Sequence, residues 1–436
     1  MNKLLFIFFS ILTFFQFSFS QEEEWEVLNL ANLPIPLAHN TIVEARVTNQ
    51  NFVYSFSGVK DSLHPSSICD TIFKYSVLSN SWSSLNFNYD SLKTVGRKAV
   101  FTNNRIYLFG GYYFDGTNQI NDDRTIIFNP FQDTLDLEGA NMPHPVQGQV
   151  TAVWKDSLIF NIGGLLDNGD FSTKVQLYDP FFNSWEEAED LPNNDFFKHQ
   201  GASGYILEDT IYLIGGISGD FVPSSKDYIR KGVINPENPL DIDWTFKTSN
   251  PSANSFGANC SGFADKLFMF GGSFNGHDFY LNDTIESLDV FPRSEMFNYF
   301  VLLEEFSTQS IDHPYNAVHG IAKVGGGNWI TTGGIDSLGV ISRRTILLSN
   351  KDFSSISQAV QPPVFDVIDG SDYFIVKTEN TGNISVYDLS GRLILESFKG
   401  LSDLYISKGD LVTGMLLFVY EDGTNLPVVR KKILVK

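Results

Sequence analysis

The side chains best suited to chemistry fall into short clusters that alternate along the chain. One set mixes aromatic rings with Asp, Asn and His: Tyr112-Tyr113-Phe114-Asp115, Leu166-Asp167-Asn168-Gly169-Asp170 and Phe274-Asn275-Gly276-His277-Asp278-Phe279-Tyr280. A second set ends in basic or imidazole groups: Pro34 to His39, Gly96-Arg97-Lys98, Phe196-Phe197-Lys198-His199 and Pro314 to His319. Aromatic faces beside such groups are what a sugar ring requires, because stacking covers its apolar C–H face while the polar groups satisfy its hydroxyls. The ligand-binding candidates are His39, Arg97, Tyr112, Asp115, His199, His277, Asp278 and His319. A glycan is the leading ligand class and an extracellular protein the alternative. Each aromatic also has a plainer use, packing a loop onto the element beneath it.

Catalytic signatures are sparse. There is no Gly-x-Ser-x-Gly elbow, no His-Glu-x-x-His and no phosphate loop. The first reading is a non-catalytic binding protein; the second is a carbohydrate-active enzyme, an epimerase or lyase, in which Arg97, His199 and Tyr112 would serve as acid and base. His39 and His319 each lie five residues after a proline and are expected at equivalent places. Two neutral imidazoles are good metal ligands, but a structural role is the simpler expectation, so no metal and no cofactor are expected. Asp167-Asn168-Gly169-Asp170 lacks the oxygen spacing of calcium loops and reads as a tight turn.

The elements that must position these clusters repeat. An apolar run ending in glycine occurs six times: Phe52 to Gly58, Ile106 to Gly111, Leu158 to Gly164, Ile211 to Gly216, Leu267 to Gly272 and Trp329 to Gly334. The final glycines are 53, 53, 52, 56 and 62 residues apart, and five copies carry a Gly-Gly pair. Glycine suits a strand that ends against a neighbouring backbone, where no side chain fits and φ must be free. Between the glycines, Tyr75 precedes Trp82 and Tyr178 precedes Trp185 by seven positions, with weaker copies in Phe128 with Leu135 and Ile346 with Phe353. Trp244 marks the fourth repeat, and Phe297 to Leu303 is the expected outer strand of the fifth. Leu191-Pro192 and Met142-Pro143 then precede the next strand.

This Gly-Gly, Tyr-x6-Trp and Leu-Pro grammar resembles the kelch repeat over roughly residues 25 to 360. The resemblance implies an all-β fold: a six-bladed propeller, one four-stranded sheet per repeat around a central channel. It also implies that the loops entering each innermost strand and those after each second strand share the face where ligands bind. Six-bladed kelch rings include sialic-acid mutarotases, which keeps the enzymatic reading open by analogy of fold. Trp25 with Leu33-Pro34 looks like the last quarter of a repeat placed ahead of the first glycine run. The expected domain is therefore residues 21–361, with the segment around Trp25 closing the final blade and leaving no free edge.

Beyond Gln361-Pro362-Pro363 the grammar changes. Alternating strands are expected at Tyr373 to Thr378, Asn383 to Asp388, Arg392 to Ser397, Gly414 to Tyr420 and Val428 to Val435, a small β-sandwich over residues 362–436. The lines Ile384-Ser385-Val386-Tyr387-Asp388-Leu389-Ser390-Gly391-Arg392, Thr413-Gly414-Met415-Leu416-Leu417-Phe418-Val419-Tyr420 and Lys431-Lys432-Ile433-Leu434-Val435-Lys436 resemble the sorting domain of the type IX secretion system. That family's domain directs cargo across the outer membrane of certain Gram-negative bacteria, so the secretion machinery is an implied partner. The usual Asn-Pro opening is replaced here by Pro362-Pro363.

The other end agrees with export. Lys3, the apolar run Leu4 to Phe17 and Ser18-Phe19-Ser20 read as a signal peptide, residues 1–20, cleaved before Gln21. The run is short for a membrane span, and no later stretch offers one. The expected destination is the medium or the outer cell surface. A net charge of −21 argues against nucleic acid, which needs clustered Lys and Arg. Cys69 and Cys260 are too few for a disulfide scaffold; separate buried thiols are expected, with a pair as the alternative.

Overall fold

In the computed structural model the described residues are 25–48, 50–61, 65–85, 93–116, 118–136, 139–219, 224–274, 292–311, 317–350, 365–369, 373–378, 382–388, 392–399, 404–411, 414–421 and 429–435. The signal segment, His277, Asp278, Phe353 and Pro362-Pro363 lie outside them. The chain divides into two compact units, residues 1–352 and 353–436.

The first unit is a six-bladed β-propeller of four-stranded antiparallel sheets. Blades 1 to 5 each run from the inside outward in sequence order. Their innermost strands are Thr41–Val47, Lys98–Thr102, Val150–Trp154, Ser203–Leu207 and Asn259–Phe263. Blade 6 takes Ala322–Gly325, Asn328–Thr332 and Thr345–Asn350 from the end of the unit and its outermost strand, Trp25–Asn29, from the start. Trp25 pairs with Asn350 and Asn29 with Ile346. The segment around Trp25 thus closes the final blade, as its place ahead of the first glycine run implied.

Each element of the repeat grammar has a physical task. The second glycine of a pair donates its N–H to the loop entering the next blade: Gly164 to His199 O at 3.0 Å, Gly216 to Ser255 O at 2.7 Å and, across the closure, Gly334 to Leu37 O at 2.7 Å. At Gly163 φ is +62°, and a Cβ would lie 2.7 Å from the His199 ring, so only glycine fits. The seven-residue spacing makes its two members cross-strand partners, Tyr75 with Trp82, Tyr178 with Trp185 and Phe128 with Leu135. The tryptophans then clamp the loop that leads into their own blade, Trp82 donating to Ala31 O at 2.9 Å and Trp185 to Ala140 O at 2.8 Å. Asn80 and Asn183, at the hairpin tips, accept from the tyrosine hydroxyls and from the backbone N–H of those same two alanines. The apolar member of Leu-Pro or Met-Pro is buried beneath, as Leu33, Met142 and Leu191.

Apolar clusters fill the spaces between blades, for example Val43, Tyr54, Phe56, Ile106, Leu108 and Phe128 between the first two. One sequence expectation is corrected in blade 5. Glu295–Phe300 is its third strand, Val301 to Glu304 form the turn, and Glu305–Ser310 is the outer strand. With no tryptophan to mark the hairpin, the expected strand ran through its turn.

In the second unit Phe365–Asp369, Tyr373–Thr378 and Leu404–Ser407 form one sheet, and Gly382–Asp388, Leu393–Lys399, Gly414–Glu421 and Val429–Val435 another. The buried cluster joining Val367, Phe374, Val376 and Ile406 to Ile384, Val386, Leu416 and Phe418 draws on both sheets. Phe365–Asp369 and Leu404–Ser407 were not anticipated; the turn-bounded alternation that marked the others is weak there.

Candidate functional site

Six loops deliver the chain to the six innermost strands, and each passes through one residue with left-handed backbone: His39, Gly96, Gly148, Gly201, Gly257 and Ala317, with φ between +54° and +74°. This conformation turns the chain from the loop into the channel-lining strand, and it favours glycine because a Cβ is strained there. At His39 the repeat places an imidazole where four blades have no side chain. All six residues line one cavity of about 240 Å³ at the mouth of the channel, together with Lys98, Tyr112, Gln119, Gln147, Leu165, Gln200, Phe256 and His319. A second cavity of about 350 Å³ is the channel itself, lined by all six innermost strands.

His39 Nδ1 and His319 Nε2 are 3.1 Å apart, one imidazole donating to the other. Their positions are not equivalent, as the proline spacing had implied. His39 aligns with Ala317, whereas His319 stands two residues further on, with Thr41, Lys98, Val150, Ser203 and Asn259, and bridges Thr41 across the blade junction. The pair nonetheless meets at the mouth. No group of three or more His, Cys, Asp or Glu suited to a metal occurs among the described residues.

Tyr112 lines the cavity as its loop's position implied, mostly buried with its ring edge-on to Phe114 at 5.7 Å between centroids. Asp115 lies on the exposed tip of the Tyr112–Asp115 and Asn118–Asn121 hairpin and does not line the cavity. Two candidates belong to the framework instead. Arg97 is 1 % exposed and ion-paired to the fully buried Asp122, which also binds Arg124 and accepts from Thr94 at 2.7 Å. Burial pushes the Asp122 carboxyl up, but the hydrogen bond from Arg124, the Arg97 charge and Thr94 more than offset it and hold the group below the usual carboxylate range. The residue after a left-handed turn points into the blade, which is why Arg97 turns away from the mouth and Lys98, one further, faces it.

His199 is fully buried against Gly163, and neither ring nitrogen has a partner among the described residues. Burial, reinforced by the Arg230 charge, holds its pKa well below the usual imidazole value, so it is neutral. Cys69 and Cys260 are both free thiols, pushed up by burial, Cys260 to about 12.

Lys98, Gln119, Gln147, Gln200 and Phe256 were not among the sequence candidates. The signal for the entry-loop members was present in the Gly96, Gly148, Gly201 and Gly257 series, since the flanking residues of that glycine line the mouth. Gln119 comes from a hairpin that only the fold brings over the channel.

The ring, its closure and its glycine staples define a six-bladed β-propeller of the kelch type. No family model matches the sequence. The chain is 26 % identical to beta-scruin of Limulus polyphemus over 212 residues, 47 % of this chain and 21 % of that protein, and 26 % identical to alpha-scruin of the same animal over 232 residues, 50 % and 23 %. It thus spans less than a quarter of the length of these curated relatives. The solved structure of YjhT superposes with a TM-score of 0.58 at 15 % identity, covering 74 % of this chain and 97 % of that one, a likeness of fold.

Proposed function

We propose that this chain is an exported, non-catalytic binding protein that holds the end of a glycan in the propeller mouth. The observation that carries this reading is the convergence of all six entry loops on a cavity of about 240 Å³ whose lining mixes amides and imidazoles with Tyr112 and Phe256. Gln119, Gln147 and Gln200 each offer both donor and acceptor to sugar hydroxyls, and the two rings offer apolar faces. Of the acid–base candidates, Arg97 and His199 are committed to the framework and Tyr112 alone lines the mouth, which favours binding over turnover.

The test is a saccharide array probed with residues 21–436 and with Gln119→Trp, which fills the mouth from an exposed hairpin position. The wild-type chain binds a subset of saccharides unchanged, and the variant loses them with its melting temperature intact. A wild-type chain that binds none, a variant that binds as well as wild type, or chemical conversion of the bound sugar would overturn the reading; capture of a protein alone would replace the glycan with a protein partner.

For export, the support is the signal-like segment Met1 to Ser20 and the sorting-domain resemblance of residues 362–436. In a host with type IX machinery, removing residues 362–436 leaves the propeller in the periplasm, whereas the full chain reaches the surface or medium. Equal release of both forms would refute the assignment.

A further inference from the structure

Lys98 opens the innermost strand of blade 2, and its side chain lines both the mouth and the channel below it. The protein carries a net charge of −21, yet among the described residues no Asp or Glu lines the mouth. Neighbouring cations are already engaged: Arg97 and Arg124 hold Asp122, and Lys323 donates to Gly262 O at 2.9 Å. The Lys98 ammonium makes no hydrogen bond or ion pair among the described residues. An ammonium without a counter-ion in a partly dehydrated cavity is a costly arrangement, and an incoming anion relieves it.

We propose that the propeller mouth is an anion-selective site in which Lys98 meets the carboxylate or phosphate group of a small ligand. The inference rests on the mouth being the ligand site and adds the charge of what enters. Around the anion, Gln147 and Gln200 and the His39–His319 pair supply further donors.

Charge balance gives the pH dependence. Burial pushes the Lys98 amine down to about 8, so part of the free protein has lost that proton at mildly alkaline pH. The other titratable groups around the site are His39, His319 and Tyr112 in the mouth, and Glu44, Asp156, Tyr205, Cys260 and Lys323 in the channel. Anion binding requires the protonated amine, so affinity falls as pH rises from 7 to 9.5.

Calorimetric titration of residues 21–436 with matched pairs reads this directly: galacturonate against galactose, and glucose 6-phosphate against glucose, with acetate and inorganic phosphate as bare anions. At pH 7 at least one charged sugar binds tenfold or more tightly than its neutral partner, and the arm that does so tells carboxylate from phosphate. Lys98→Gln abolishes the preference, whereas Lys98→Arg keeps it and removes the alkaline loss. Equal affinity for charged and neutral members, with Gln119→Trp still blocking both, would overturn the anion selectivity and leave the glycan reading standing. Binding of none of the sugars and neither bare anion would overturn both; bare anions bound through Lys98 without any sugar would keep the anion site and remove the glycan.

Discussion

Replacing Trp25 by Ala tests the closure of the ring at one residue. The side chain is 5 % exposed, its ring centroid lies 4.7 Å from that of Phe268 and 5.5 Å from that of Trp329, and its indole N–H donates to Asn298 Oδ1 at 3.1 Å. Its backbone is held by Gln309, which both accepts from Trp25 N and donates to Trp25 O, at 2.9 Å each. A Trp-to-Ala change in such a place costs about 3–5 kcal/mol, and the orphaned Asn298 carbonyl about 1 kcal/mol more. Unfolding entropy near 2.1 cal/mol/K per residue gives about 0.7 kcal/mol/K over roughly 330 residues, so the melting temperature falls by about 6–9 °C. Trp25→Phe keeps the ring contacts and should lose about a third of that. Scanning calorimetry of residues 21–436 measures both, and deleting residues 21–35 should exceed either by freeing the edge of Thr345–Asn350. A fall of less than about 2 °C for Trp25→Ala would refute the closure.

Three further outcomes follow from the buried groups. His199 stays neutral in the fold while the unfolded chain takes up a proton below pH 6.5, so stability falls on acidification by up to about 1.4 kcal/mol per pH unit. In urea titrations from pH 7 to 5, His199→Leu should flatten that limb; an unchanged slope contradicts the assignment. Asp122→Ala leaves Arg97 buried without its counter-ion and should cost about 3–5 kcal/mol by denaturant titration, and a loss under 1 kcal/mol would show that the pair is not closed in solution. Cys69 should resist thiol reagents at pH 8 in the folded protein and react in guanidinium, whereas rapid native labelling of Cys69 would contradict its burial; Cys260 is only half-buried in the channel wall.

The six blades were legible because each constraint is local in sequence: a Gly-Gly pair closes a strand, and a seven-residue spacing spans one hairpin. Where the marker residue is missing, as in the Val301 to Glu304 turn, the reading slipped by one element. The site was legible as a face and less so as residues. Arg97 and Lys98 are adjacent, and the alternation of side chains about a left-handed turn sends one into the blade and the other into the mouth. Nothing in their types distinguishes them. His39 and His319 do meet, but through adjacency of blades rather than equivalence within the repeat. Gln119 could not be assigned from its neighbours, because its place depends on how a hairpin folds back over the channel.

The most direct measurement is a crystal structure of residues 21–436 with the tightest-binding saccharide from the array. The ligand is predicted in the channel mouth, within hydrogen-bonding distance of Lys98 and of Gln147 or Gln200, and over the His39–His319 pair. A saccharide seated on the outer edges of the blades, with the mouth empty, would contradict the account.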